Sequence, residues 1–384
     1  MSSYRARVLE CDEFLKRDEL SLAEARRFAF EGIPDEGSRR SILWKLLLFY
    51  LPSKRSDWGA MLARQRATYR QFVDEIIINP QAQENSADHP LSLDPDSQWG
   101  KFFEDNSILL QIDKDCRRLL PDISFMQQAS RYPVKMAGSS LRTRVEKSVL
   151  EAKQVATNRS GTKNISLVQR SSSSDEYHVL PEGQEAHWEV VERILFIYAK
   201  LNPGVSYVQG MNEIVGPLYY VFASDSDLKW QEHAEADTFF CFTNLMSEIR
   251  DNFIKTLDDD AACGIGAMMI TLMAYLKRAD ASLSAAMDAK QLKPQFFSFR
   301  WLTLLLSQEF DLPDVIRLWD TLFSDSKRFE FLIFFCCAML ICIRDDLLKG
   351  DFATCVKLLQ NYPPTEIHSI LEKAVELRRL FSSD

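Results

Sequence analysis

The chain has 384 residues, 46% of them hydrophobic and 26% charged, with 25 Phe, 11 Tyr and 7 Trp. That composition excludes a wholly disordered chain, a collagen-like fibre and a small disulfide scaffold, and it supports a large core. The formal net charge of −9 argues against a broad nucleic-acid footprint, which needs a basic face.

The first stretch, MSSYRARVLECDEFLKRDEL, lacks an uninterrupted apolar run, so no secretory signal is expected. No lipidation signal is read at either end. Residues 1–31 are expected to form one or two appended helices, ending at the turn Gly32-Ile33-Pro34. Apolar stripes with helical spacing follow over 42–50, 61–77 and 108–120, separated by Leu51-Pro52 and Asn79-Pro80. Between Arg131 and Arg170 lie nine Lys/Arg and two Glu, a net of +7, and Ser171 to Ser174 follow at once. One sign of charge beside a polar tract predicts a flexible insertion over about 131–185, with a short basic helix over 141–156. It reads either as a solvated linker or as a docking loop whose serines are open to phosphorylation. Helical spacing resumes with Trp188, Val191, Ile194, Leu195, Tyr198 and Leu201, and Asn202-Pro203-Gly204 ends that helix. Further stripes cover 207–222, 236–254, 297–310 and 328–348, with turns at Leu312-Pro313 and Pro363-Pro364. No convincing period-two strand appears, so the fold class is all-α, with roughly fifteen helices joined mostly by short loops.

The longest apolar run, Phe331 to Ile343, has 13 residues. A bilayer span needs about 17–25, so a buried helix is expected there and no transmembrane segment. The eight cysteines form no Cys-x-x-Cys pair and read as buried reduced thiols of a cytosolic protein. A P-loop, His-Glu-x-x-His and Gly-x-Ser-x-Gly are absent, and Asp258-Asp259-Asp260 reads as a helix-capping acidic loop rather than a calcium site. Conventional hydrolase and metal chemistry is disfavoured, and no metal or cofactor of the chain's own is expected.

Two polar constellations remain. In the first, Ile108, Ile112, Cys116 and Leu119 share one helical face, with Asp115 at its edge and Arg118 three residues on. A guanidinium held by a neighbouring carboxylate keeps its direction and can meet a phosphate, although such pairs are also common on solvated helix faces. The second is Asn202-Pro203-Gly204-Val205-Ser206-Tyr207-Val208-Gln209-Gly210-Met211-Asn212. With Ser206 as N-cap, Gln209 falls at the third helical position and completes a capping box. Alternatively its carboxamide points outward at the helix start, where it could orient a water against a phosphate. Gly210 and Gly216 would let a partner's backbone approach. Together the two offer a cation for charge on a transferred phosphoryl group and an amide for the attacking water, the parts that a slow GTPase lacks.

The segments Arg40-x-x-x-Trp44, Ile112-x-x-Asp115-x-x-Arg118 and Tyr207-x-Gln209 occur in the order that resembles a TBC domain. Phe299-Arg300-Trp301, Phe310 and Arg317-Leu318-Trp319-Asp320 resemble that family's C-terminal half. The resemblance implies a multi-helix TBC-type Rab-GAP domain over 32–345, interrupted by the insertion and followed by appended helices over 346–384. It implies a GTPase activator rather than an enzyme in its own right. Arg118 would be the arginine finger and Gln209 the glutamine finger, both supplied in trans to a GTP-bound Rab-family small GTPase, which binds the GTP and Mg2+. Asp115 and Tyr207 would orient the fingers, Ile112 and Gly210 would complete their motifs, and Arg40 and Trp44 would support the structure. Arg300, Trp301 and Trp319 would supply packing and interface framework. The expected setting is the cytoplasm, with recruitment to the cytosolic face of organelle or vesicle membranes and a role in membrane trafficking. A GTPase-binding adaptor without catalytic effect is the alternative, and a membrane-surface adaptor acting through the basic insertion is a third.

Overall fold

Apolar residues spaced three and four apart close into helices along the chain, in a computed structural model that describes residues 2–77, 98–134, 141–142, 144–145, 180–181, 183–254 and 264–382. The described residues hold seventeen α-helices and no strand. In order they are α1 (Ser2–Lys16), α2 (Leu22–Phe30), α3 (Arg39–Leu47), α4 (Trp58–Ile76), α5 (Gln98–Cys116), α6 (His187–Leu201), α7 (Met211–Ala223), α8 (Leu228–Gln231) and α9 (Ala234–Ile249). They continue with α10 (Gly264–Ala279), α11 (Ala281–Ala289), α12 (Ser298–Thr303), α13 (Leu312–Ser324), α14 (Glu330–Cys342), α15 (Arg344–Lys349), α16 (Phe352–Gln360) and α17 (Ile367–Ser382). The all-α class expected from periodicity is the observed one. The basic stretch lies largely outside the described residues, as do Ser171 to Ser174 and Asp258 to Asp260; only Leu141, Arg142, Arg144 and Val145 of the helix predicted over 141–156 are described.

The chain divides into two compact units. The first comprises residues 1–61, 220–231 and 240–384. Its centre is α14, whose residues Phe331 to Leu340 are all buried; a helix apolar on every side has to be enclosed. α14 packs against α10 and α17. The Asp325 carboxylate accepts from the Phe331 amide at 2.9 Å and so satisfies an N–H at the start of the helix. The stripe predicted over 297–310 is helical only to Thr303. Leu305 and Leu306 take left-handed backbone angles (φ 50° and 62°), which ends the helix while both side chains stay buried. The Leu305 carbonyl then accepts from the Trp319 indole at 2.9 Å.

In the same unit Arg40 and Trp44 meet on Asp320, which is fully buried. Its carboxylate accepts from the Arg40 Nε at 3.1 Å, the Trp44 indole at 2.7 Å and the Ile33 amide at 2.9 Å. Burial pushes this carboxyl up, while Arg40 and these hydrogen bonds pull it back. Trp44 also packs edge-on against Phe323, 5.0 Å between ring centroids, so the two motif residues tie the α2–α3 loop to α13. Trp301 and Trp319 are fully buried, in keeping with packing. Of the described cysteines, Cys11, Cys116, Cys241, Cys336, Cys337 and Cys355 are buried, and Cys342 is exposed.

The second unit comprises residues 62–219 and 232–239. α6 is its spine, with every residue from Trp188 to Ala199 buried. It packs along α5 and against a short 3-10 turn at Ser124–Gln127. Arg193 on α6 is nearly enclosed and reaches Glu235 at 2.6 Å and Glu185. Arg66 on α4 makes a two-pronged contact with Asp237 at 2.9 Å. Doubly bonded arginines of this kind, held against buried or half-buried carboxylates, fix the register of neighbouring helices. No helix among the described residues is long and apolar enough to cross a membrane.

Candidate functional site

The site grows from the C-terminal end of α5, in the second unit. Of the predicted face, Ile112, Cys116 and Leu119 are fully buried and Ile108 is half-buried. The helix stops at Cys116, sooner than the stripe implies, and Leu120 adopts a left-handed conformation (φ 47°) that turns the chain away. Arg117 and Arg118 therefore stand on a turn. Arg117 grips Asp113 at 2.9 Å and stacks 4.7 Å above the Trp188 ring. Arg118 projects instead, with 63% of its side chain exposed, and donates to Asp115 Oδ1. Of two adjacent guanidiniums, one serves the fold and the other faces solvent.

Asp115 is 3% exposed and links this turn to a distant stretch of chain. Its Oδ2 accepts from the Tyr207 hydroxyl at 2.7 Å. The Asn212 amide donates to the Asp115 carbonyl at 3.3 Å, and its Oδ1 lies 3.3 Å from the Tyr207 oxygen. Burial drives the Tyr207 phenol far above its ordinary range, and the hydrogen bond to Asp115 adds to the rise, so the hydroxyl stays a donor at any physiological pH.

The capping box predicted at Ser206 does not form. Ser206 has a left-handed backbone (φ 57°), and α7 begins only at Met211. Drawing the Tyr207 ring inward onto Asp115 takes residues 206–208 out of helical geometry. Gly210 (φ 102°) then makes the turn into the helix, a conformation that strains any residue with a Cβ. Gln209 lies in this turn, exposed, two residues from Tyr207 and immediately before Gly210. Gly216 also departs from expectation. It is buried, and a Cβ there would meet the Leu119 side chain at 2.9 Å, so the space it leaves is taken by α5's own terminal turn and not by a partner. Asp115, Tyr207 and Arg118 thus form one hydrogen-bonded group with Ile112 packed behind it, while Arg40 and Trp44 serve Asp320 in the first unit. Asn212 and Asp320 were not singled out from sequence as hubs, although both lie inside the stretches that were.

The Rab-GTPase-TBC domain family model matches residues 142–348, which include Gln209 and begin after Arg118. Over 396 aligned residues the chain is 54% identical to TBC1 domain family member 13 of Mus musculus and of Homo sapiens, covering 98% of this chain and 99% of each relative. The chain belongs to the Rab-GTPase-TBC domain family. Its fold also matches the crystal structure of the Ypt/Rab-GAP domain of Gyp1p with a TM-score of 0.70 at 25% identity, over 98% of this chain and 99% of that one. In this TBC chain the Asp115 group therefore lies within a region shared nearly end to end with its relatives.

Proposed function

We propose that this TBC chain activates a Rab-family small GTPase, with Arg118 as its arginine finger and Gln209 as its glutamine finger. The observation that carries the reading is the Asp115 carboxylate, which accepts from Arg118 on one oxygen and from Tyr207, two residues before Gln209, on the other. One buried anchor serves both segments. The guanidinium is held along one edge and keeps its remaining donors for the oxygens between the β- and γ-phosphates of GTP bound to the partner. The Gln209 carboxamide offers an acceptor for the attacking water's proton and a donor for a phosphoryl oxygen, as in-line attack requires. GTP and Mg2+ belong to the GTPase, and the chain contributes positioning and charge. The work would take place on the cytosolic face of organelle or vesicle membranes, where it would regulate trafficking.

An arginine finger is worth about 10³–10⁵ in rate, or roughly 4–7 kcal/mol of transition-state stabilisation. Single-turnover GTP hydrolysis across a panel of Rabs, with wild type, Arg118→Ala, Arg118→Lys and Gln209→Ala, tests the proposal. At least one Rab should be accelerated by wild type, and both arginine variants should lose nearly all of that gain. Lysine fails because an ammonium lacks the planar fork. Equal rates for wild type and Arg118→Ala would overturn the assignment.

A further inference from the structure

Glu192 sits in the middle of α6 with no exposed surface, and neither of its carboxyl oxygens has a hydrogen-bond partner. Leaving an ionised carboxylate in that state is among the most expensive arrangements a core can hold. α6 packs along α5, and one turn before Glu192 the Trp188 ring lies 4.7 Å beneath the Arg117 guanidinium, so that Asp113, Cys116 and Arg117 act electrostatically on Glu192 from the last turn of α5 and its continuation. From its own helix Glu189 and Arg193 also act on it, and Glu213 of α7 acts on the same Cys116 thiol. Both cations are engaged with other carboxylates. Arg117 holds the two oxygens of Asp113 at 3.0 and 2.9 Å, and Arg193 holds Glu235 and Glu185. Glu189 accepts from the Ala186 amide at 2.7 Å and forms an ion pair with Arg142 at 3.4 Å. Burial first, then the Asp113 and Glu189 carboxylates, hold the Glu192 carboxyl well above the ordinary range, and Arg117 and Arg193 offset this only in part. The same neighbours, led by burial and then Glu192, keep the Cys116 thiol protonated.

We infer that Glu192 is a positioning residue for the arginine finger: its enclosed, unpartnered carboxyl lies on the helix packed along the last turn of α5, and a charge placed there loosens the Asp113–Arg117 clasp and with it the aim of Arg118. In the neutral form it places no charge beside Asp113, and Arg117 remains paired with that residue and stacked on Trp188. When its proton passes to solvent, the new carboxylate repels Asp113 and draws Arg117 toward itself. Arg117 and Arg118 are consecutive on one turn, so a shift of the first is felt by the second and by its bond to Asp115. Glu192 touches neither nucleotide nor partner in this scheme and acts only through α5.

The inference rests on the GTPase-activating reading, and two measurements keep their failures apart. In the first, saturating rates of Rab GTP hydrolysis are recorded from neutral pH up to the alkaline limit at which the GTPase alone stays active, for wild type and Glu192→Gln, each divided by the rate of the GTPase alone. The wild-type acceleration should fall as pH rises, in the maximal rate and not in the half-saturating concentration, while the glutamine variant holds its level. Parallel profiles would overturn the inference. In the second, amide hydrogen exchange over residues 113–120 is measured without any GTPase, after correction for base-catalysed chemistry. Protection should drop with rising pH in wild type alone. Equal protection in both proteins would overturn the inference even if no Rab responds, whereas a silent Rab panel by itself counts against the GTPase reading. If the glutamine variant fails to fold, Glu192→Met, uncharged and of similar size, takes its place in both arms.

Discussion

Asp115 gives each carboxylate oxygen a different partner, and neither partner could be moved to the other's place. Tyr207 reaches it from a buried ring at 2.7 Å, so that bond is made in a site nearly closed to water. Arg118 reaches it from solvent, where its remaining donors stay open. Tyr207→Phe keeps the ring and its packing but leaves a buried carboxylate oxygen short of a donor, which costs about 1–3 kcal/mol. Urea unfolding should show that loss, and under the proposed function maximal GTPase acceleration should drop by about tenfold for each 1.36 kcal/mol of support withdrawn from Arg118. A rate drop without a stability change would point to direct contact between Tyr207 and the partner instead. The Asp115–Arg118 pair was legible in sequence because its spacing lies within one turn, and it survives although the helix ends between them. The Tyr207–Asp115 bond was not legible as a contact. It joins residues 92 apart, and no local periodicity encodes a hydroxyl reaching across a core. Asn212 stayed hidden for the same reason, as a polar residue in an apolar helix whose partner is a distant carbonyl.

At the scale of elements, the stripes that proved simplest to read are those whose burial is complete. α6 is enclosed along twelve consecutive residues and begins one residue before its stripe. α14 follows its apolar run with equal fidelity, though a helix buried all round shows no face, so its length and composition gave it away. Periodicity failed where backbone angle and burial part company. Leu305 and Leu306 continue an apolar pattern in left-handed backbone, and Ser206 interrupts what reads as a capping box. The junction of α5 with α7 depends on such a detail. Gly216 has no side chain, and the fully buried Leu119 fills the space. Gly216→Val would force Leu119 out of a closed pocket one residue beyond Arg118, an overpacking cost of about 1–3 kcal/mol. Reduced thermal stability together with a lower maximal rate is the expected result, and Leu119→Ala in the same chain should restore part of both by making room. An unchanged midpoint for the single variant would show that α5 and α7 can separate freely, contrary to the packing described.

For the molecule as a whole, a half-buried and a fully buried group on α6 set opposing dependences of folding stability on pH. The His187 ring stacks 4.1 Å from Phe125, and its Nδ1 lies 2.7 Å from the Tyr219 hydroxyl. Burial pulls its pKa down from 6.5 to about 4, with Glu185 opposing. Between those values the unfolded chain holds a proton that the native protein lacks, so His187 makes stability rise with pH across that window. Its contribution is complete above about 6.5 and lost toward 4, worth roughly 3 kcal/mol at ~1.36 per unit. Glu192 has the opposite sign. Its native pKa is raised above the unfolded value, so above about pH 4.3 the native protein holds the extra proton and stability falls as pH climbs. Over pH 4.5–6.5 the two slopes oppose each other, each at most about 1.36 kcal/mol per unit. Thermal midpoints measured across that interval should separate them. Glu192→Gln should gain on wild type as pH rises, because the opposing glutamate slope is gone. His187→Gln should be less stable throughout, from the lost stack and hydrogen bond, yet its deficit should shrink toward pH 4, because wild type loses stability there as its imidazole resists protonation and the variant does not. The double variant should track neither trend, since both proton linkages are absent. A constant offset between Glu192→Gln and wild type at every pH would mean that Glu192 ionises alike in the folded and unfolded chain, and the neutral acid beneath α5 would have to be abandoned.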